Sequence, residues 1–185
     1  MADIALWNGD ICDLEVDAIV SPASTSLWMA TGVAGAIKRR GGDAIEFAAV
    51  RQGPVRLGDA IVTPAGSLAA RWVIHAVSLG PGRRTDAATI ELAVRSAFAR
   101  ARELGVETIA IPALGTGVGG FPIEDGARVT IAAVRAEMTR TPRLNRVTFA
   151  LRGMTPYEAF RTALAVADAP KAARVPRAPQ TGTPA

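Results

Sequence analysis

A glycine-rich loop at residues 115–120 is the part of this sequence best suited to chemistry. It follows a short apolar, β-branched run at 108–111, which predicts a buried strand. From Ile123 onward apolar residues recur every three to four positions, which predicts a helix. Glycines let backbone N–H groups turn toward an anion, and the following helix start adds partial positive charge. This order of strand, loop and helix predicts a phosphate site.

Two common phosphate motifs describe this loop poorly. Gly115, Gly117 and Gly120 match the spacing of the dinucleotide fingerprint, which also requires an acidic residue at the end of the next strand. Glu137, the acid at about that distance, lies inside the predicted helix instead. No lysine follows the glycines, as a P-loop would require. A phosphate-bearing ligand is favoured over a plain flexible turn, and a nicotinamide-dependent dehydrogenase is not expected.

Composition predicts one globular domain without a metal. The chain has 185 residues, of which 49% are hydrophobic. Cys12 and His75 are its single cysteine and histidine, so neither a disulfide framework nor a thiolate or imidazole metal site is expected, and no cofactor is expected. No apolar run approaches the ~20 residues of a membrane span, and the N-terminus lacks a signal pattern. A cytoplasmic protein with no membrane partner is therefore predicted.

The basic character of the chain is concentrated at its end. The formal net charge is +4, from 21 basic and 17 acidic residues. Residues 169–185 contain Lys171, Arg174 and Arg177 and no acid, so 21 less three leaves 18 basic residues against 17 acids in residues 1–168. We predict a domain at 1–168 and a disordered Pro/Ala-rich basic tail at 169–185. Nucleic acid is not expected as the main partner, and a monomer is expected.

Strand and helix patterns alternate along the chain. The predicted strands cover residues 3–8, 18–20, 59–63, 72–77, 108–111 and 146–151. Residues 31–40 are predicted to be a loop that leads into a short helix. Further helices are predicted at 43–50, 89–104, 123–138 and 156–167. This alternation predicts an α/β fold, a three-layer α/β/α sandwich on a mixed sheet of about six strands. Asp43 is the predicted N-cap of the second helix, with Glu46 completing a capping box.

Polar or glycine-rich breaks follow three of the predicted strands. They lie at residues 9–11, 21–35 and 113–121. The strands at 72–77 and 108–111 are apolar enough to be central and covered on both faces. Ligands of open α/β sheets bind outside the carboxyl ends of the strands. The three breaks are therefore expected to meet at one ligand site.

Five segments in and between these breaks, taken in their order along the chain, resemble the macro domain family of ADP-ribose-binding modules. The resemblance covers about residues 3–167. The matching segments are Gly-Asp-Ile at 9–11, Val-Asp-Ala-Ile-Val at 16–20, Gly-Val-Ala-Gly-Ala-Ile at 32–37, Val-Ile-His-Ala-Val at 73–77 and Ile-Pro-Ala-Leu-Gly-Thr-Gly-Val-Gly-Gly-Phe-Pro at 111–122. The resemblance implies that ADP-ribose or an ADP-ribosylated protein is the partner. It also explains why the glycine loop comes late in the chain.

The resemblance implies a role for individual residues. Asp10 would accept a hydrogen bond from the adenine exocyclic amine, and the Ile11 backbone N–H would help read the base. Without the resemblance, Asp10 would be interpreted as a turn cap. Phe121 would pack against the distal ribose, although core packing is its alternative. The remaining implied ligand contacts are Ser24, Thr31, Gly32, Val33, Ala34, Pro112, Ala113, Gly115, Thr116, Gly117, Val118 and Gly119.

Two stretches depart from the family pattern at the ribose end. The family typically has Asn-Ala-Ala-Asn after the second strand, and its second Asn is tied to hydrolysis in the de-ADP-ribosylating branch. This chain has Ser-Pro-Ala-Ser at 21–24, so Ser24 is the candidate catalytic residue and offers one hydroxyl in place of an amide. Thr31 interrupts the family's glycine run, and a positive φ at this β-branched residue would be strained.

Three functions remain open from the sequence. The first is a module that binds ADP-ribose with a degenerate catalytic loop. The alternative is a hydrolase that removes ADP-ribosyl groups or processes derivatives such as ADP-ribose-1''-phosphate or O-acetyl-ADP-ribose. The third is a macro domain fold that binds another nucleotide or nucleic acid. His75 is interpreted as a satisfied core histidine and Cys12 as a small buried residue, so neither is a predicted catalytic group.

Overall fold

The computed structural model describes residues 2–169, so the predicted tail at 169–185 lies outside the described residues apart from Ala169. The strands are Asp3–Asn8 (β1), Ala18–Ser24 (β2), Ala60–Pro64 (β3), Trp72–Leu79 (β4), Thr108–Pro112 (β5) and Arg146–Leu151 (β6). The helices are Gly32–Gly41 (α1), Asp43–Val50 (α2), Ala87–Leu104 (α3), Ile123–Met138 (α4) and Met154–Asp168 (α5).

The six strands form one mixed sheet in the order β1-β6-β5-β2-β4-β3. Every neighbouring pair is parallel except β3 and β4, which are antiparallel. The carboxyl ends of five strands therefore meet at one edge of the sheet. The breaks predicted at 9–11 and 113–121 lie at this edge. The break predicted at 21–35 begins later than expected, because β2 continues to Ser24 and Ser21 is buried in its pairing with β4.

Alternating side chains of the sheet face two separate helical layers. On one face, Val20, Ile74 and Ile109 pack in a large core with side chains of α3, α4 and α5. On the other face, Ile19 and Val73 pack with side chains of α1 and α2. This arrangement is the predicted three-layer α/β/α sandwich, and the fold class is confirmed. Within residues 2–169, no helix combines the length and apolarity needed to cross a membrane.

The predicted capping box at the start of α2 is wrong. Gly42 is the N-cap, with φ of 102°, and Asp43 is already helical. Glu46 is buried and turns away from the helix start, where it accepts the backbone N–H of Met29 at 2.6 Å and the ammonium of Lys38 at 2.6 Å. Glu46 therefore bonds to a distant backbone N–H and to a lysine instead of to the start of its own helix, because a buried carboxylate needs a charged or amide donor.

Candidate functional site

A cleft of two adjoining cavities runs along the carboxyl edge of the sheet. The first, which we call the Asp10 cavity, has a volume of about 550 Å³ and includes Asp10 and Thr116 in its wall. The second, the Ser24 cavity, has a volume of about 460 Å³ and includes Ser24. Four residues line both cavities, namely Gly32, Val33, Ala113 and Gly117. The two cavities are therefore halves of one cleft, and both volumes are typical of small-molecule sites.

The start of α1 forms one wall where the cavities meet. Thr31 is the N-cap with φ of −141° and makes no side-chain capping bond. The first N–H groups of a helix have no partner within the helix, so those of Gly32 and Val33 can donate to a ligand. The positive φ of this turn, 62°, falls on Gly32. The strain anticipated at Thr31 is therefore absent, because Thr31 is extended and the glycine takes the left-handed conformation.

The glycine loop forms the opposite wall. Gly115 has φ of 75°, and its carbonyl accepts the N–H of Phe121 at 3.1 Å. The hydroxyl of Thr116 donates to the carbonyl of Ala113 at 3.0 Å. Among residues 2–169, the N–H groups of Thr116, Gly117 and Val118 have no hydrogen-bond acceptor. The loop is thus closed by its own bonds while it presents a run of unused amide donors, as an anion site requires.

The two walls approach each other closely. A Cβ built on Gly32 would lie 4.0 Å from Cγ2 of Val118. Val33 and Thr116 line the same cavity. Two runs of backbone amides, one from the helix start and one from the glycine loop, therefore border a single groove.

Asp10 lies at one end of the cleft as an ionised acceptor. Its Oδ1 accepts the backbone N–H of Cys12 at 2.9 Å, and its Oδ2 lies 3.9 Å from the guanidinium of Arg40, with 27% of the side chain exposed. Burial raises the pKa of Asp10, but the hydrogen bonds from Cys12 and the charges of Arg40 and Arg152 outweigh it, so the net shift is downward. Asp10 both caps a turn and lines the cavity, so the two interpretations from the sequence are compatible.

Ser24 lies at the other end of the cleft, beside a second hydroxyl. Its Oγ is 3.0 Å from the Oγ of Ser26. Among the described residues that line the Ser24 cavity, none carries a carboxylate or an imidazole. The side chains at this end therefore offer hydrogen-bonding hydroxyls and no general base.

The cleft brings together 14 of the 15 predicted ligand contacts. The exception is Phe121, which is half-buried and packs against the core instead of lining either cavity. Its contact with the distal ribose stays a prediction.

His75 and Cys12 lie outside the cleft lining. His75 is buried in β4, as expected for a core histidine, but only half of its ring is satisfied: Nε2 is 2.9 Å from the Thr63 hydroxyl, and Nδ1 has no partner among the described residues. Burial, together with the neighbouring Asp10 carboxylate, raises the pKa of the Cys12 thiol to about 12. The thiol therefore stays protonated near neutral pH and is no nucleophile.

The cleft also contains charged and aromatic residues that the sequence analysis missed. Arg39 and Arg152 line the Asp10 cavity, and Arg83 and Trp28 line the Ser24 cavity. Asp10 is the one carboxylate among the described residues of both linings, so the cleft favours an anionic ligand. Arg152 directly follows β6. Its position at the carboxyl end of a strand was the one feature of the sequence that could have identified it as a cleft residue.

Comparison with known proteins places these features in a family. The sequence profile described as Macro domain matches residues 20–130. A macro domain-containing protein of Streptomyces griseus is 40% identical over 172 residues, which cover 88% of this chain and 95% of that protein. An uncharacterized protein of Mycobacterium tuberculosis is also 40% identical over 164 residues, or 89% of this chain, and the chain spans 45% of its length.

One solved structure has a similar fold over most of this chain. The Trypanosoma brucei macrodomain in complex with ADP-ribose superimposes with a TM-score of 0.81 and 28% sequence identity. The match covers 87% of this chain and 68% of that one.

Proposed function

This chain belongs to the macro domain family, and on that premise we propose that it binds ADP-ribose, free or attached to protein. The related Trypanosoma brucei macrodomain was solved with this ligand. The observation that carries the proposal is the single cleft between the start of α1 and the glycine loop, where unused amide donors lie on both sides.

The proposed ligand has its diphosphate at the junction of the two cavities. The N–H groups of Val33 and Thr116 would donate to it from opposite walls. Asp10 would accept the adenine amine in its cavity, because an ionised carboxylate only accepts hydrogen bonds. The hydroxyls of Ser24 and Ser26 would contact the distal ribose. Arg39 and Arg152 would add favourable charge for the phosphates.

Binding is preferred to hydrolysis because the Ser24 cavity offers no acid–base partner among its described residues. An ADP-ribosyl hydrolase would have to depend on positioning and on the substrate's own phosphates. To test this, an ADP-ribosylated protein or O-acetyl-ADP-ribose is incubated with the chain and product release is followed. We expect no turnover above the background rate. Turnover that is lost in Ser24→Ala would contradict this preference and assign Ser24 a catalytic role.

Calorimetric titration tests the binding itself. The wild-type chain should bind ADP-ribose, and Asp10→Ala should weaken binding by about 1.5–3 kcal/mol, the range for hydrogen bonds to charged groups. Asp3→Ala removes an exposed carboxylate that lines neither half of the cleft, and it serves as the control. Equal affinities for wild type and Asp10→Ala would mean that the adenine is not read there, and no heat with wild type would contradict the proposal.

A further inference from the structure

The Ser24 cavity has an exposed aromatic side chain to which the proposed ADP-ribose site assigns no contact. Trp28 lines this cavity and is 59% exposed, although burial of a tryptophan ring is strongly favourable. The cavity has a volume of about 460 Å³. The diphosphate would fill its part beside Gly32, Val33 and Gly117, and the distal ribose its part beside Ser24 and Ser26, so the wall formed by Trp28 and Arg83 is left for a further group.

The backbone holds Trp28 in this position at a cost. Two non-glycine residues within 2–169 have a left-handed conformation, Leu27 with φ of 64° and Arg83 with φ of 60°. Leu27 is buried against the core and directly precedes Trp28, so the turn directs one side chain inward and the next outward. Arg83 lines the same cavity. Strained residues of this kind cluster at ligand sites.

Both side chains suit a planar ring. Tryptophan stacks on nucleobases, and an arginine guanidinium stacks on aromatic rings as well as binding phosphate. They come from the loops after β2 and β4, which are neighbouring strands in the sheet. Among its described residues the cavity contains no carboxylate, so nothing there attracts a basic peptide.

We propose that Trp28 and Arg83 form a subsite for a planar heteroaromatic ring carried by the distal ribose, so that the cleft takes a dinucleoside diphosphate. This inference rests on the proposed function, since the first nucleoside and the diphosphate occupy the ADP-ribose positions. The Asp10 cavity then holds one base and Trp28 stacks on the other.

The test compares ligands that differ only beyond the distal ribose. Calorimetry gives the dissociation constants of ADP-ribose, diadenosine diphosphate and NAD⁺ for the wild-type chain. We expect at least one dinucleotide to bind about 5- to 150-fold more tightly than ADP-ribose, the contribution of one stacked base. Comparison of diadenosine diphosphate with NAD⁺ shows whether a purine or a nicotinamide is preferred as the second ring.

Variants at Trp28 distinguish stacking from general affinity. In Trp28→Ala the ratio of the ADP-ribose and dinucleotide dissociation constants should fall toward one, whereas Trp28→Phe should keep most of it. Phe47→Ala is the matched control, because it removes a ring that is 62% exposed on α2 and outside both cavities. Each variant's unfolding temperature confirms that it is folded.

The remaining outcomes separate this inference from the proposed function. If ADP-ribose binds but neither dinucleotide binds more tightly, the subsite is refuted and the proposed function stands. If an ADP-ribosylated peptide alone gains affinity through Trp28, the subsite serves a protein target and the inference is wrong. If no ligand binds, both proposals fail.

Discussion

His75 shows what burial does to a single ionisable residue. Its ring is enclosed in the sheet, Nε2 is 2.9 Å from the Thr63 hydroxyl, and Nδ1 has no partner among the described residues. Burial lowers its pKa from 6.5 to about 4. The folded protein therefore holds this histidine neutral at pH values where the unfolded chain would protonate it.

This shift predicts a loss of stability in acid. Between pH 6.5 and about 4 the unfolded state binds a proton that the folded state does not, so stability falls as the pH drops through this window. His75 should contribute a loss of about 3 kcal/mol by the lower end. Urea unfolding of wild type and His75→Gln across this range isolates the effect, because the carboxylates titrate in both. Parallel pH profiles for the two proteins would refute it.

Cys12 gives a second prediction for a single residue. Its thiol is buried, and a pKa of about 12 leaves almost no thiolate near neutral pH. A thiol-reactive reagent should therefore label the native protein slowly and the urea-unfolded protein quickly. Rapid stoichiometric labelling of the native protein would show that Cys12 is accessible and ionised.

The glycine loop after β5 allows its folding and binding roles to be separated. A Cβ on Gly115, where φ is 75°, would lie 2.8 Å from Cγ2 of Thr85 and 2.9 Å from Cδ1 of Ile90. A Cβ on Gly117 meets no atom within 4 Å, so it would enter open space at the cleft wall.

Alanine at these two glycines should therefore act differently. Gly115→Ala should lower the free energy of unfolding by about 1–3 kcal/mol because of the clash and the left-handed backbone. Gly117→Ala should leave the unfolding free energy nearly unchanged but weaken ADP-ribose, because the methyl group occupies ligand space. Thermal unfolding and calorimetry on both variants give the comparison. A stable Gly115→Ala, or a Gly117→Ala with wild-type affinity, would contradict the description of this loop.

Helix α2 holds the loop that leads into α1. Glu46, whose side chain is 4% exposed, accepts the N–H of Met29 and pairs with Lys38. Glu46→Ala should destabilise the protein by about 1–3 kcal/mol, because the buried N–H of Met29 loses its acceptor. Asp43→Ala, which removes the more distant and exposed partner of Lys38 at 3.7 Å, should cost under about 1 kcal/mol. Equal denaturant midpoints for the two variants would show that the contact with Met29 is unimportant.

The elements were predictable from sequence where the pattern is local. The apolar runs of β4 and β5 and the helical spacing of α4 gave their places within a few residues. The partners of Glu46 could not be predicted, because Met29 lies 17 residues away and the capping box describes only local contacts. Trp28 and Arg83 were missed for a similar reason. Their loops have no periodicity, and only the pairing of β2 with β4 brings them to one cavity.

For the whole chain, we propose that residues 1–168 form a complete macro domain without the predicted basic tail. Within residues 2–169, β6 takes its place between β1 and β5, and side chains of β6 and α5 pack in the large core. Deletion of residues 169–185 should leave the unfolding temperature and the ADP-ribose affinity unchanged. A lower unfolding temperature or a weaker affinity would show that the tail takes part in the fold or the site.

Backbone amide NMR during an ADP-ribose titration shows whether the start of α1 and the glycine loop border one ligand cleft. We predict that the amides of Gly32, Val33, Thr116 and Gly117 shift together, with one dissociation constant, because on this proposal they would contact one diphosphate from two walls. Shifts confined to one wall, or centred on residues remote from both cavities, would show that the two walls do not share one ligand.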